Sequence, residues 1–427
     1  MAPMTTAGEE MYALVERLYP LCRSITGDGV RATLEIVGEY VPLQVHEVPT
    51  GTQVLDWTVP KEWNIRDAYI ADTAGKRVVD FAASSLHVLG YSVPVSATMP
   101  LAELRAHLHT LPEHPAWVPY RTSYYKPEWG FCLAQETLDA LPDGEYEVCV
   151  DSTLADGHLT YAEYVVPGQV ADEVIVSCHV CHPSLANDNL AGIAVATFLA
   201  RALVEQPTYY TYRFLFAPGT IGAITWLARN AERVDRVKHG LVLACVGDPG
   251  RLTYKQSRRG DAEIDRVMRH VLTASERPHQ TVEFTPYGYD ERQFCSPGFN
   301  LGVGSLTRTP YAGYPEYHTS ADNLDFVSPE AMADTLAVCR EAFAVLDRNR
   351  QYVNLSPYGE PQLGRRGLYD ALGGRSDAKQ AQMAMLWVLS LSDGEHSLLD
   401  VADRSGLPFD TVAAAADALR GAGLIKA

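Results

Sequence analysis

Residues 177–192 read Ser-Cys-His-Val-Cys-His-Pro-Ser-Leu-Ala-Asn-Asp-Asn-Leu-Ala-Gly. The run entering this stretch, Val174–Cys178, is short and apolar, as a buried strand is, and Leu190–Leu203 beyond it is apolar nearly all round, as a buried helix is. In open α/β sheets ligands collect at the carboxyl ends of the strands, so the imidazoles and the carboxylate of this loop stand where a site belongs. Downstream the alternation continues. Strands are expected at Tyr212–Ala217, Leu241–Val246 and Leu301–Leu306, with helices at Ile221–Ala228, Ile264–Leu272 and Pro329–Leu346. The pattern predicts an α/β fold, a mixed sheet sandwiched by helices.

Upstream the texture differs. Met11, Leu14, Val15, Leu18 and Leu21 recur at helical spacing within Glu9–Cys22, and a second helix is expected over Val30–Tyr40. Between them and the α/β region lie short alternating runs such as Gln53–Val59, Asp67–Ile70, Glu145–Val150 and Thr160–Val166, broken by Pro, Gly and Asn. They predict an inserted mainly-β domain over 47–166, leaving 1–46 and 167–348 as the core. Residues 349–375, rich in Gly, Pro and Arg, read as a linker. In 376–427, helices at Ala378–Leu391, Leu398–Ser405 and Phe409–Ala422, with Gly406 and Pro408 at the second turn, predict a winged-helix-like domain.

Composition bounds the function. With 427 residues, 47% of them hydrophobic and 21% charged, the chain holds ordinary globular domains and is not disordered. Lys+Arg 35 against Asp+Glu 53 gives −18, a surface that repels phosphate backbones and anionic lipid, so neither nucleic acid nor membrane is an expected partner. The winged-helix segment carries seven acids and four bases, a net of −3, which fits a packing or dimerisation module better than a DNA reader and leaves room for a homo-oligomer. No apolar run reaches the roughly 18–20 residues of a membrane helix, and Met1–Met11 has no basic cluster or apolar core of a signal peptide. The eight cysteines then read as reduced thiols in a cytoplasmic protein.

The chemistry sits in two stretches. In the first, two imidazoles and a carboxylate at a strand end suit a borderline-soft divalent ion such as zinc, with Asn187 and Asn189 suited to holding Asp188 by hydrogen bonds. Cys178 and Cys181 form a C-x-x-C, but there is no second pair for a zinc ribbon and a loop, not a helix, follows, so the imidazoles explain the stretch better than redox chemistry does. The second stretch, Tyr314–Asp325, offers His318 followed by Thr319, Asp322 and Asp325, a late ligand with supporting acceptors. Arg258 and Arg259, beside Tyr254 and Lys255, could clamp an anionic group, or be a solvated charge run. Tyr120, Tyr124, Tyr125 and Trp129 could line a pocket wall or form core.

Together these stretches resemble the zinc aminopeptidase and carboxypeptidase superfamily with a phosphorylase-like α/β core. More closely, Leu18–Gly27, Cys178–Gly192, Pro218–Gly222, Arg258–Gly260, Asp290–Gly298 and Glu316–Asp325 resemble a group of aminopeptidase-like proteins with an inserted β domain and a winged-helix tail, often labelled polysaccharide-biosynthesis proteins. The resemblance implies His179 as first metal ligand, Asp188 as bridging carboxylate, His318 as last ligand, and Asp248, or Cys245 in its place, as the remaining one. It also implies a glutamate pair after the next strand. Here that place reads Ala217-Pro218-Gly219-Thr220-Ile221-Gly222, without a carboxylate, and Cys181 replaces the Asp of His-x-Asp. His182 is the natural substitute ligand, completing a His182–Asp188–His318 set for one zinc, with two ions as the alternative. The base must then come from elsewhere, Glu291 first and Glu316 second, with Arg258, Arg259 and Tyr317 assigned to substrate. The expected function is a zinc-dependent amide or peptide-bond hydrolase acting on an aminoacyl or peptidyl conjugate of a small metabolite or saccharide precursor. The alternative is a non-catalytic metal-containing binding protein of the same fold.

Overall fold

A computed structural model describes residues 4–368 and 378–427. The chain forms two compact units. One runs to Asp265 and resumes over Ser275–Cys339, and the other comprises Arg266–Ala274 and Arg340 onward.

The first unit is organised by an eight-stranded mixed sheet, in the order Gln44–Pro49, His158–Val166, Thr211–Ala217, Glu173–His179, Val237–Leu243, Val303–Thr307, Leu252–Lys255, His279–Val282. Its centre is parallel: Val176 lies opposite Phe214 on one side and Leu241 on the other, and Leu241 opposite Gly304. Every residue of Glu173–His179 is buried, which is why the strand reads as a continuous run and not as an alternation. Helix Gly192–Val204 packs on it with Gly192 through Ala200 all buried. Arg213 is the polar exception in this layer. Its guanidinium binds Glu173 at 2.7 Å and Glu163 at 2.9 Å, and Trp226 Nε1 donates to Glu163, so each buried charge has its partner.

Between the first two strands of that sheet the chain builds a four-stranded antiparallel sheet, Arg77–Asp80, Glu62–Ala71, Glu145–Ala155, Val95–Pro100. Tyr146, Val148, Val150 and Ser152 alternate inward along one strand, as a half-buried sheet requires. The boundaries drawn at 46/47 and 166/167 do not hold as drawn: Gln44–Pro49 and His158–Val166 pair with each other, and His158–Val166 also pairs with Thr211–Ala217, so both belong to the large sheet.

In the second unit helices Ala378–Leu391, Leu398–Ser405 and Phe409–Gly421 accompany a three-stranded sheet, the arrangement of a winged helix. Ser397 and Asp400 close a capping box on the second helix, and Gly406 ends it in the left-handed region at φ 67°. The stretch expected to be a linker contributes a strand, Gln351–Asn354, which pairs with Asp393–Ser397 and with Ile425–Lys426. The rest of that linker from 369, and the start of the winged segment at Ser376, lie outside the described residues. All eight cysteines are free thiols, and among the described residues no helix is long and apolar enough to cross a membrane.

Candidate metal centre

Strand Glu173–His179 delivers His179 at its carboxyl end, and the loop that follows turns back over it before helix Gly192–Val204 begins. Asp188, wholly buried, is the centre. Its Oδ1 lies 2.7 Å from His179 Nε2, and its Oδ2 lies 3.0 Å from His318 Nε2 and 4.0 Å from His182 Nε2. Potential ligand atoms, one each from His179, His182 and Asp188, fall within 4.8 Å of one another. Burial alone would push the Asp188 carboxyl up, but the imidazoles of His182, His179 and His318 hold it well below the usual range. Burial pushes His182 down to about 3, which leaves it a neutral ring with a nitrogen lone pair to offer. One buried carboxylate ringed by three imidazoles, with no lysine or arginine paired to it among the described residues, is a donor set that fits a divalent cation such as zinc.

The supporting contacts differ from those expected. Asn187 and Asn189 do not bond the Asp188 carboxylate. Asn187 donates to Asp248 at 3.1 Å and accepts from the Gly247 N–H, while Asn189 Nδ2 donates to the Leu243 carbonyl at 3.0 Å and lies 3.4 Å from His179 Nδ1. The loop is held instead by Asp322, whose two carboxylate oxygens accept from the backbone N–H groups of Asn187 and Asp188. Arg23, also buried, donates from Nε to the His182 carbonyl at 2.8 Å. That contact draws the Leu18–Gly27 stretch into the support of the centre. His318 sits at φ 56°, its carbonyl accepting from Tyr120 N–H and its ring stacked at 4.0 Å on Tyr317.

The remaining sequence candidates lie elsewhere. Asp248 is consumed by Gly250 N–H, Thr309 N–H, the Thr309 hydroxyl and Asn187, so it braces the loop and does not face the cluster. The Cys245 thiol contacts the hydroxyls of Tyr289 and Tyr314. Arg258 and Arg259 are exposed outside the cavity, Arg258 donating to Asn300. Their strand, Leu252–Lys255, runs antiparallel to Val303–Thr307, so its carboxyl end falls at the opposite edge from those of the central strands. Glu316 is half-buried outside the cavity, its backbone carbonyl accepting from Thr319 in the turn before His318.

Glu291 is fully buried, but it faces Lys255 at 2.8 Å and not the cavity. Replacing Lys255 by methionine should leave an uncompensated buried carboxylate and cost about 3–5 kcal/mol, read as a lowered urea midpoint of the full chain.

The carboxylate that sequence reading passed over is Asp290. It lines the same cavity of about 430 Å³ as His179, His182, Asp188, Tyr317 and His318. It is 3% exposed, and among the described residues its side chain has no hydrogen-bond partner. Burial pushes it up to about 6, against the pull of His179. Gly219 explains why no glutamate follows the strand here: a Cβ at this position would stand 3.1 Å from His179 Cβ and 3.8 Å from Asp290 Oδ2. A side chain at 219 would enter space that Asp290 reaches from the other side. Asp290 and Glu291 are adjacent acids, and only the turn before the short helix Glu291–Phe294 decides which of them faces inward.

Comparison with known proteins agrees with the architecture. A family model described as a domain of unknown function (DUF4910) matches residues 12–349, and a winged helix-turn-helix model matches residues 350–427. A protein of Clostridium acetobutylicum is 51% identical over 419 residues, spanning 98% of this chain and 96% of its own. Its name marks it, provisionally, as a polysaccharide biosynthesis protein with an aminopeptidase-like domain. A crystal structure from Clostridium acetobutylicum, described provisionally as a peptidase, superposes with a TM-score of 0.93 at 49% identity, covering 99% of this chain and 97% of that one. The zinc aminopeptidase BSAP of Bacillus subtilis shares the fold, with a TM-score of 0.57 at 13% identity over 78% of this chain and 94% of its own.

Proposed function

This chain belongs to the DUF4910 family, built on the zinc aminopeptidase fold, and from that premise we propose that it is a metal-dependent amide hydrolase acting on an aminoacyl or peptidyl conjugate of a small metabolite or saccharide precursor. The observation that carries the reading is the convergence of three imidazoles on the buried Asp188 carboxylate in a cavity that also presents an unbonded acid, Asp290. His179, His182, Asp188 and His318 would hold one zinc ion. When bound, it would supply Lewis-acid polarisation of a carbonyl and a water of lowered pKa.

The chain's own groups do the rest. Asp290 accepts a proton from the attacking water and returns it to the departing amine, so the amide C–N bond breaks as a C–O bond forms. Tyr317, stacked on His318, lines the cavity and fixes the ring's orientation. Asp322 and Arg23 hold the backbone that carries Asp188 and His182. The winged unit, with its net of −3, we read as a packing module.

The test is turnover by the zinc-loaded full chain on aminoacyl nitroanilides and aminoacyl conjugates of amino sugars. Amine release should be lost on chelation and restored by zinc. No release from any conjugate by protein that binds zinc would sink the hydrolase reading. It would favour the metal-containing binding protein, to which the absence of a carboxylate at Gly219 and Thr220 already points.

A further inference from the structure

The strongest unused feature of the cavity is a guanidinium. Arg292 lines the cavity together with Asp188 and His318; its charge draws on the nearby Asp290 carboxyl, but among the described residues it makes no hydrogen-bonded ion pair. Its Nε is buried without a partner, its Nη2 makes one contact, 3.3 Å to the Thr220 hydroxyl, and its carbon centre stands 5.9 Å from the Tyr287 ring. A guanidinium carries five N–H donors in a planar fork, so most of this one's capacity is unspent. Acids are not scarce: in a chain with 53 of them, Arg31, Arg77 and Arg213 each engage two or more. The one hydrogen-bond partner of Arg292 among the described residues, the Thr220 hydroxyl, carries no charge and leaves the fork open. A second arginine, Arg121, which has no ion pair among the described residues, lines the same cavity from the segment whose Tyr120 N–H donates to the His318 carbonyl.

We propose that this cavity selects amides bearing an anionic group, a carboxylate or phosphate, near the scissile bond, and that Arg292, seconded by Arg121, binds that group. The inference rests on the hydrolase reading for the word amide, but the anion site stands on its own geometry. Planar oxyanions match the guanidinium fork with two parallel bonds, and a buried donor is the place where such a bond is least screened. Arg121 is exposed, and its contribution is correspondingly smaller.

Calorimetric titration of the zinc-loaded full chain with three matched amides tests this without turnover: N-acetyl-β-alanine, N-acetyl-2-aminoethylphosphonate and the neutral N-acetyl-β-alaninamide. At least one anionic amide should bind about tenfold or more tightly than the neutral one. Which of the two leads tells carboxylate from phosphate. Arg292→Gln should bring that ratio near one, Arg292→Lys should restore part of it, and Arg121→Gln should lower it about threefold. No anionic preference in the parent protein, or one that survives Arg292→Gln, overturns the proposal. So does a ratio that collapses when zinc is stripped, since the anion would then sit on the metal. Failure of the hydrolase reading looks different: anionic amides would bind through Arg292 and none would be cleaved.

Discussion

Asp188→Asn is expected to leave the protein folded and unable to hold zinc. The carboxylate is wholly buried and touches His179 and His318 through different oxygens, with His182 4.0 Å away. Asparagine keeps the shape but loses the charge that would balance a divalent cation, and one of its two terminal atoms becomes a donor facing a ring nitrogen. Loss of an outer hydrogen-bond partner typically costs 10–100-fold in metal affinity, and loss of the central anionic ligand should cost more than about a hundredfold. Zinc retained after dialysis should fall from about one per chain to near none. The metal-free protein should also lose some stability, because a carboxyl that the surrounding imidazoles hold below its usual range stabilises the fold in its ionised form, and asparagine cannot. His318→Ala, which removes a half-exposed ring, should weaken zinc less than Asp188→Asn does. Elemental analysis with urea unfolding of both metal-free proteins separates the two effects. Undiminished zinc in Asp188→Asn would remove this residue from the centre.

How far the sequence discloses this centre depends on the kind of residue. The central parallel strands announce themselves because burial on both faces forces continuous apolar runs, as in Val174–Cys178 and Tyr212–Ala217. Leu252–Lys255 and His279–Val282 complete the sheet unannounced. Each is four residues long, too short to show a period, and the second has no buried residue. His179 ends a strand, and His182 and Asp188 lie on the loop that follows it, so the sequence itself brings them close. Reaching His318 needs the late stretch to be read with the first, because 130 residues separate it from Asp188. Support is harder still. Asp322 binds backbone, not side chain, and Arg23 reaches a carbonyl 159 residues away, contacts that no spacing rule encodes. Arg258 and Arg259 stand apart from the cavity for a topological reason: the strand before them runs antiparallel to Val303–Thr307, and an antiparallel strand sends its carboxyl end away from the site.

Asp290→Asn should retain zinc and fold and lose about 10²–10⁴-fold in turnover per zinc-loaded molecule, the usual contribution of a positioned general base. Two adjacent acids make the experiment decisive. Asp290 faces the cavity unbonded, whereas Glu291 is fully buried against Lys255. If the base is chosen by position, Glu291→Gln should lower stability, by taking the partner from a lysine that is only 12% exposed, and leave turnover per folded molecule within a few-fold of the parent. If the base is Glu291, the two substitutions exchange phenotypes. Gly219 adds a third arm. Gly219→Ala places a Cβ 3.1 Å from His179 Cβ and 3.8 Å from Asp290 Oδ2, so it should disturb both the ring and the acid without removing either. Zinc-normalised turnover of all three variants, alongside urea midpoints, gives the assignment. Near-parental turnover in Asp290→Asn would end its role. The Gly219 substitution pattern would then mean that the space beside His179 is kept clear for substrate, not for a proton acceptor on the opposite wall.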